Sequence, residues 1–194
     1  MLSKRKIEER DNRKKNIIDG ALRVFKICGI EKTTMDQIAH ESGFGKATLY
    51  YYYGSKDEVF IDIMVKGWKD LWEGIETLII EENGPKIKFI KIITKIGLIV
   101  KNNKNLYGFL FTAPKHIQDT QAHLWKTYQD RLYAILKSII DEGIKKKEFV
   151  NLNPEVLMKA VGGLFHGLVI SNEDEVSESD LEFMVNNLIN PKLD

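Results

Sequence analysis

The sequence predicts an all-α protein of about nine helices, a three-helix head followed by a larger helical body. Three observations predict it. Only four prolines interrupt 194 residues, so long stretches are free of helix breakers. No run alternates apolar and polar residues for long, whereas apolar residues recur at spacings of three and four. Helix-start and helix-stop signals then fall at short intervals along the chain.

In order, the stretch 13–28 places Ile17, Ala21, Leu22, Val24, Phe25 and Cys28 at helical spacing, and Gly29 follows as a C-cap candidate. Thr33 reads as an N-cap, with Asp36 three residues on as an imperfect capping box, for a short helix ended by Gly43. Residues 46–53 form a second short helix. Ser55 caps a long one from Lys56 to about Glu82, with an apolar stripe through Phe60, Met64, Trp68, Leu71, Trp72, Ile75 and Leu78. Gly84-Pro85 opens a helix to about Asn102 that carries Lys88, Lys91 and Lys95 on its wet face. A shorter element over 106–113 stops at Pro114. Residues 118–147 form another long helix, whose Lys145, Lys146 and Lys147 suit the negative end of its dipole. Asn153-Pro154-Glu155 supplies an N-cap, an N1 proline and an early acid for a helix to about Ser171. Ser179-x-x-Glu182 caps a terminal helix to about Asn190.

Composition excludes several classes. Hydrophobic content of 43% with 29% charged residues describes an ordinary globular chain, not a disordered or fibrous one. The lone Cys28 rules out a disulfide framework within the chain and suits a reducing compartment; on an apolar helix face it reads as core. Met1 to Lys15 is mostly charged and lacks the apolar run of a signal peptide. The most apolar stretch, 89–100, is broken by Lys91 and Lys95, so no membrane association is expected and a cytoplasmic location is. Residues 1–60 carry twelve Lys/Arg against nine Asp/Glu, and the remainder seventeen against nineteen. A mildly basic head, with KRK at 4–6 and RKK at 13–15, suits a polyanion partner.

The informative constellation is GFGKATLYYYYGSKDEVF, residues 43–60. Two short helices joined through Ser42-Gly43-Phe44-Gly45 make a helix-turn-helix, with Ile38, Ala39, Phe44 and Leu49 spaced to pack on the first helix. Small residues at the start of the second helix let its leading end approach the floor of a major groove. There Lys46 can reach guanine O6/N7 or a phosphate, and Thr48 a base edge. At about 100° per residue, Leu49 and Tyr53 share the core face while Tyr50, Tyr51 and Tyr52 fan around the rest. Tyrosine offers a flat ring for sugars and a hydroxyl for phosphate oxygens. Lys56 adds a cation near the start of the next helix.

T-T-x-x-x-I-A, then G-x-x-K-x-T-L-Y-x-Y and S-K-D-E, resembles the N-terminal signature of the tetracycline-repressor (TetR) family of bacterial transcription regulators, over roughly residues 13–60. The resemblance implies a DNA-binding head over 1–55 and an effector-binding and dimerisation body over 56–194. It implies a homodimer that binds a pseudopalindromic double-stranded operator, most often as a repressor released by a small, largely apolar effector. By the same resemblance Thr34, Lys46, Ala47, Thr48, Tyr50, Tyr51, Tyr52 and Lys56 fall at positions that touch DNA. The last two helices become a four-helix dimer interface, through Ala160, Gly163, Leu164, Gly167 and Leu168. Two departures stand out: Gly45 replaces a small hydroxyl residue as cap, and Tyr53 replaces phenylalanine, so its hydroxyl needs a partner.

Other readings compete. GFGKAT lacks the spacing of a phosphate loop, and the four histidines fall in no catalytic motif, so neither an enzyme nor a cofactor is expected. His116, Asp119 and His123 have the i, i+3, i+7 spacing of metal ligands on one helix face, and equally that of a solvated helix start. Trp68, Phe109, Trp125, Tyr128, Phe165 and His166 are candidates to line an effector pocket. A helical protein–protein module that uses the tyrosine corner as its hot spot is the alternative function.

Overall fold

A charged first helix, α1 (Lys4–Lys32), opens the chain in the computed structural model, which describes residues 4–112, 123–170 and 176–190. Then follow α2 (Met35–Glu41), α3 (Lys46–Tyr52), α4 (Lys56–Ile80), α5 (Pro85–Asn102) and α6 (Lys104–Thr112). The remainder comprises α7 (His123–Lys145), α8 (Pro154–Phe165) running into a π-helical turn His166–Ile170, and α9 (Glu178–Ile189). No strand occurs among the described residues. The expected all-α architecture is what the chain adopts.

In the head, Ile17, Ala21 and Phe25 of α1 are buried against Ile38 and Ala39 of α2 and Leu49 of α3. Burial of each larger side chain is worth about 1.5–3 kcal/mol, enough to fix α2 and α3, which are too short to be stable alone. Gly20 allows the closest approach: a Cβ there would sit 2.8–2.9 Å from the backbone N, Cα and Cβ of Ser42. Arg23 ties the same two helices from outside, with Nε donating to Glu41 Oε1 at 2.6 Å and Nη2 to the Glu41 carbonyl at 2.9 Å.

The body packs around α4, whose Trp68, Leu71 and Ile75 meet Phe89 and Ile92 of α5 and Ile140 of α7 in one core that continues into the head. Phe109 of α6 bridges the two parts. It stacks on Phe25 of α1 at 5.5 Å and meets Phe60 of α4 edge-on at 5.6 Å. On the far side α9 packs on α5, where Gly97 leaves room for Leu181.

Local chemistry departs from the sequence reading in four places. The cap of α2 is Thr34, not Thr33, and its box partner is Gln37. Thr33 is buried and donates its hydroxyl to the Gly29 carbonyl at 2.7 Å. The cap of α9 is Ser177 with Asp180, two residues before the predicted pair. Helix α1 begins at Lys4 rather than near residue 13, while Gly29, at φ 73, breaks helical geometry where the C-cap was expected. Cys28 is half-buried rather than core. The Ser55, Pro85 and Asn153-Pro154 starts stand as read.

Candidate nucleic-acid interface

The turn between α2 and α3 is closed by short-range bonds. The Gly43 N–H donates to the His40 carbonyl and the Phe44 N–H to the Ala39 carbonyl, while the Ser42 hydroxyl returns to the Ile38 carbonyl at 2.7 Å. Gly43 adopts φ 74, a left-handed conformation that a side chain would resist. These bonds set α3 across α2 with one face inward. Leu49 is 0% exposed and Tyr53 4%, whereas Tyr50 is 53% and Tyr51 80% exposed. Tyr52 is half-buried, with its ring edge-on to Tyr51 at 5.2 Å.

Around that face the structure places Thr34, Lys46 and Ala47 exposed and Thr48 half-buried. Thr34 is also the helix cap, its hydroxyl accepting from the Gln37 N–H. Lys46 donates to Asp36 Oδ2 at 2.5 Å across the turn, an exposed pair that solvent and salt weaken. Lys56 points back instead, donating to the carbonyls of Ile30 and Glu31 at 2.9 and 2.8 Å and closing the end of α1. The start of α4 is satisfied from within, by the Ser55 hydroxyl on the Glu58 N–H and by the Glu58 carboxylate on the Gly54 N–H. Gly45 caps α3 with no side-chain bond.

The Tyr53 hydroxyl has its partner. It donates to Asp62 Oδ2 of α4 at 2.5 Å, and Lys14 of α1 donates to the same oxygen at 3.1 Å while lying 5.2 Å above the Tyr53 ring. Burial, then the bond to Asp62, pushes the Tyr53 phenol well above its ordinary range. The sequence marks Lys14 only as part of the basic RKK run and Asp62 not at all; only the need for a Tyr53 partner points to this pairing.

Two further regions concern the body. A cavity of about 280 Å³ lies between α4, α5, α6, α7 and α8, with Trp68, Phe165 and His166 on its wall. Phe111 and Tyr133 also line it, whereas Phe109, Trp125 and Tyr128 are not among its lining residues. On α8 and the turn after it, Gly163 and Gly167 are exposed and a Cβ at either would meet nothing within 4 Å. Ala160 and Leu164 are half-buried beside them, and the Leu168 side chain lies outside the described residues. Nearby in the sequence order of the last helices, α9 exposes Phe183 at 68%. His116 and Asp119 fall outside the described residues, as does the His123 side chain. No cluster of His, Cys, Asp and Glu that could hold a metal occurs among the described residues, and no described helix is long and apolar enough to cross a membrane.

Comparison with known proteins agrees with this geometry. Residues 17–63 match the family profile of bacterial regulatory proteins of the tetR family. The HTH-type transcriptional regulator BetI of Brucella canis is 32% identical over 139 residues, covering 71% of this chain and 70% of BetI. Among solved structures, AibR in complex with isovaleryl coenzyme A and operator DNA superposes with a TM-score of 0.76 at 15% identity, over 93% of this chain and all of AibR. FadR from Bacillus subtilis in complex with stearoyl-CoA superposes with a TM-score of 0.68 at 21% identity, over 90% of this chain and 96% of FadR.

Proposed function

The chain belongs to the TetR family of bacterial regulatory proteins, and from that premise we propose that it is a ligand-responsive repressor binding a pseudopalindromic operator as a dimer. The observation that carries the DNA reading is the division of α3. Leu49 is sealed into the head while Lys46, Ala47, Tyr50 and Tyr51 face outward from the same two turns. That face is small and cationic at its leading end and aromatic along its flank, which suits a groove floor bordered by sugar and phosphate. On meeting DNA, Lys46 exchanges Asp36 for a base edge, and Lys56 contributes to the field at the phosphates.

Dimerisation supplies the second half of the recognition. Two α3 helices about 34–36 Å apart read successive major grooves, so their separation controls affinity. The open glycine face of α8 supports pairing through α8 and α9. The cavity supports an effector site, as do the AibR and FadR complexes, which hold acyl-coenzyme A ligands in the same fold. An effector that binds the mis-spaced state about 100-fold more tightly supplies about 2.7 kcal/mol of coupling.

The test is selection of binders from a random duplex library at low salt, followed by footprinting. An enriched inverted repeat is expected, and enrichment of none overturns the reading. Against the selected site, Lys46→Ala changes which bases are preferred. Lys56→Met, which removes a nearby charge but no phosphate contact in this geometry, weakens all sequences alike and reduces the salt slope by less than about one unit. A tyrosine-based protein interface would respond only weakly to salt.

A further inference from the structure

Helix α1 begins with a stretch that the head does not use. Residues 4–13 are exposed without exception, and the first buried side chains are Ile17 and Ile18. Ile7 is the single apolar residue of 4–16, so no face of this stretch is made for a core. Seven Lys/Arg stand there against three Asp/Glu. Helix stability does not account for where the cations lie. Lys4, Arg5 and Lys6 occupy the first turn, where the dipole disfavours positive charge and no acid offsets it. Arg13 pairs with Glu9 at 2.5 Å, whereas Lys4, Arg5, Lys6 and Arg10 make no ion pair with a described residue.

Spacing gathers part of this charge on one line. Lys6, Arg10 and Lys14 follow one another at i, i+4 and i+8. At about 100° per residue, Glu8, Glu9 and Asp11 all fall a quarter-turn or more away from that line. Lys14 fixes where the line begins. Its Nζ donates to Asp62 Oδ2 at 3.1 Å and lies 5.2 Å above the ring of Tyr53, the residue that ends α3. The cationic row therefore starts beside the far end of α3 and runs on to Lys4, about 15 Å of helix. Helix α3 meets a groove by its Lys46 end, which leaves the Tyr53 end at the groove wall, where the phosphates are. The row also lies ahead of residues 17–63, the segment that matches the family profile, so it is not a feature the family match supplies.

We propose that residues 4–14 are a helical arm that binds the phosphates of DNA flanking the base pairs read by α3, with Lys6 and Arg10 as its contacts. This rests on the reading of α3 as the recognition helix and adds a second surface to it. Phosphate contacts strengthen and position without selecting sequence, so the arm adds affinity and footprint rather than specificity. Its length spans about four base pairs on each side of a dimer site. An anionic membrane is the poorer partner, because a surface helix needs an apolar face and this stretch has only Ile7.

The test uses the full-length protein and the inverted repeat recovered from the random library, in two duplexes. One ends at the outermost base pairs of the repeat, and the other is extended by a further half-turn on each side. At low salt the native protein is expected to bind the extended duplex about tenfold more tightly. That advantage should survive shuffling of the flanks and shrink as salt rises. In Lys6→Gln/Arg10→Gln the ratio of the two affinities falls to about one, and the salt slope on the extended duplex drops by about two units per bound chain. Lys69→Gln/Lys146→Gln, an equal loss of charge from exposed sites of the body, keeps the native ratio. Hydroxyl-radical footprints give a second measurement: native protection should reach about four base pairs further on each side than that of the arm variant. Equal binding of the two duplexes by the native protein, a full ratio or an equally long footprint in the arm variant, or the same loss in the body variant overturns the proposal. Vesicles of phosphatidylglycerol and phosphatidylcholine probe the membrane. Flotation that depends on Lys6 and Arg10, with no arm effect on DNA, overturns it in favour of that partner. A library that yields no inverted repeat overturns the reading of α3 and this inference with it. A repeat bound equally with and without its flanks overturns this inference alone.

Discussion

Tyr53 carries a hydroxyl in a place that needs only a ring, and what it does there follows from its neighbours. Its oxygen donates to Asp62 and Lys14 completes the pairing, so α1, α3 and α4 meet at one carboxylate. Tyr53→Phe should cost about 1 kcal/mol near neutral pH, the net worth of a hydrogen bond. The pH dependence has a definite sign. An unfolded tyrosine titrates near pH 10, whereas the buried Tyr53 holds its proton well beyond that. Its stabilisation is therefore complete below about pH 10 and declines above it by about 1.4 kcal/mol per pH unit, because only the unfolded chain releases the proton. Urea unfolding of both proteins between pH 7 and 11 should show the gap between native and Tyr53→Phe closing above pH 10. A gap that stays constant would mean the phenol is not held protonated. At this scale the sequence reveals which side chains face in and which face out, since Leu49, Tyr50 and Tyr51 follow from the helical rotation alone. It conceals the pairs: Asp36 for Lys46, and the α1 carbonyls for Lys56, belong to other elements and become partners only through packing.

Elements were legible wherever they bury a face. Helices α2 to α5 and α8 begin within two residues of where their caps and stripes predict. Helix α1 was read late because residues 4–12 are all exposed and carry no stripe to betray a period. The two misassigned caps have a common cause. Thr33-Thr34 and Ser177-x-Ser179 each offer two hydroxyls in nearly the same place, and the sequence alone does not tell which one caps. Thr33 is taken by the Gly29 carbonyl, leaving Thr34 to α2. Gly20 was missed altogether, because a glycine inside a helix reads as a weakness until its neighbour is seen. Gly20→Ala should gain helix propensity yet lose more to overlap with Ser42, where the obstacle is backbone. A net destabilisation of about 1–3 kcal/mol is expected, concentrated in the head. Hydrogen exchange should show α2 and α3 losing protection while α5 and α9 keep theirs. Uniform loss across the chain, or none, would contradict a contact local to the head.

At the scale of the whole molecule, the proposed function requires a second copy of the chain, and neither one sequence nor one chain displays that partner. What one chain displays is a glycine face on which no described residue packs. Gly97 and Gly143 are small because Leu181 and Phe149 press against them, whereas Gly163 and Gly167 face open space. This difference predicts opposite responses to the same substitution. Gly163→Ala meets no obstacle within the chain and replaces a poor helix former by the best one, so α8 should gain about 0.5–1 kcal/mol. If α8 is the surface on which two chains close, the added methyl holds the helices apart, and the dimer dissociation constant should rise about tenfold or more, as overpacking by 1–3 kcal/mol implies. Operator affinity should fall with it, because two heads held together bind far more tightly than two heads apart. Sedimentation at several concentrations and operator titration of the same variant read the two quantities separately. A dimer unchanged in strength would place the interface elsewhere. A weakened dimer that still binds its inverted repeat at full affinity would break the link between the α8 face and the spacing of the two α3 helices.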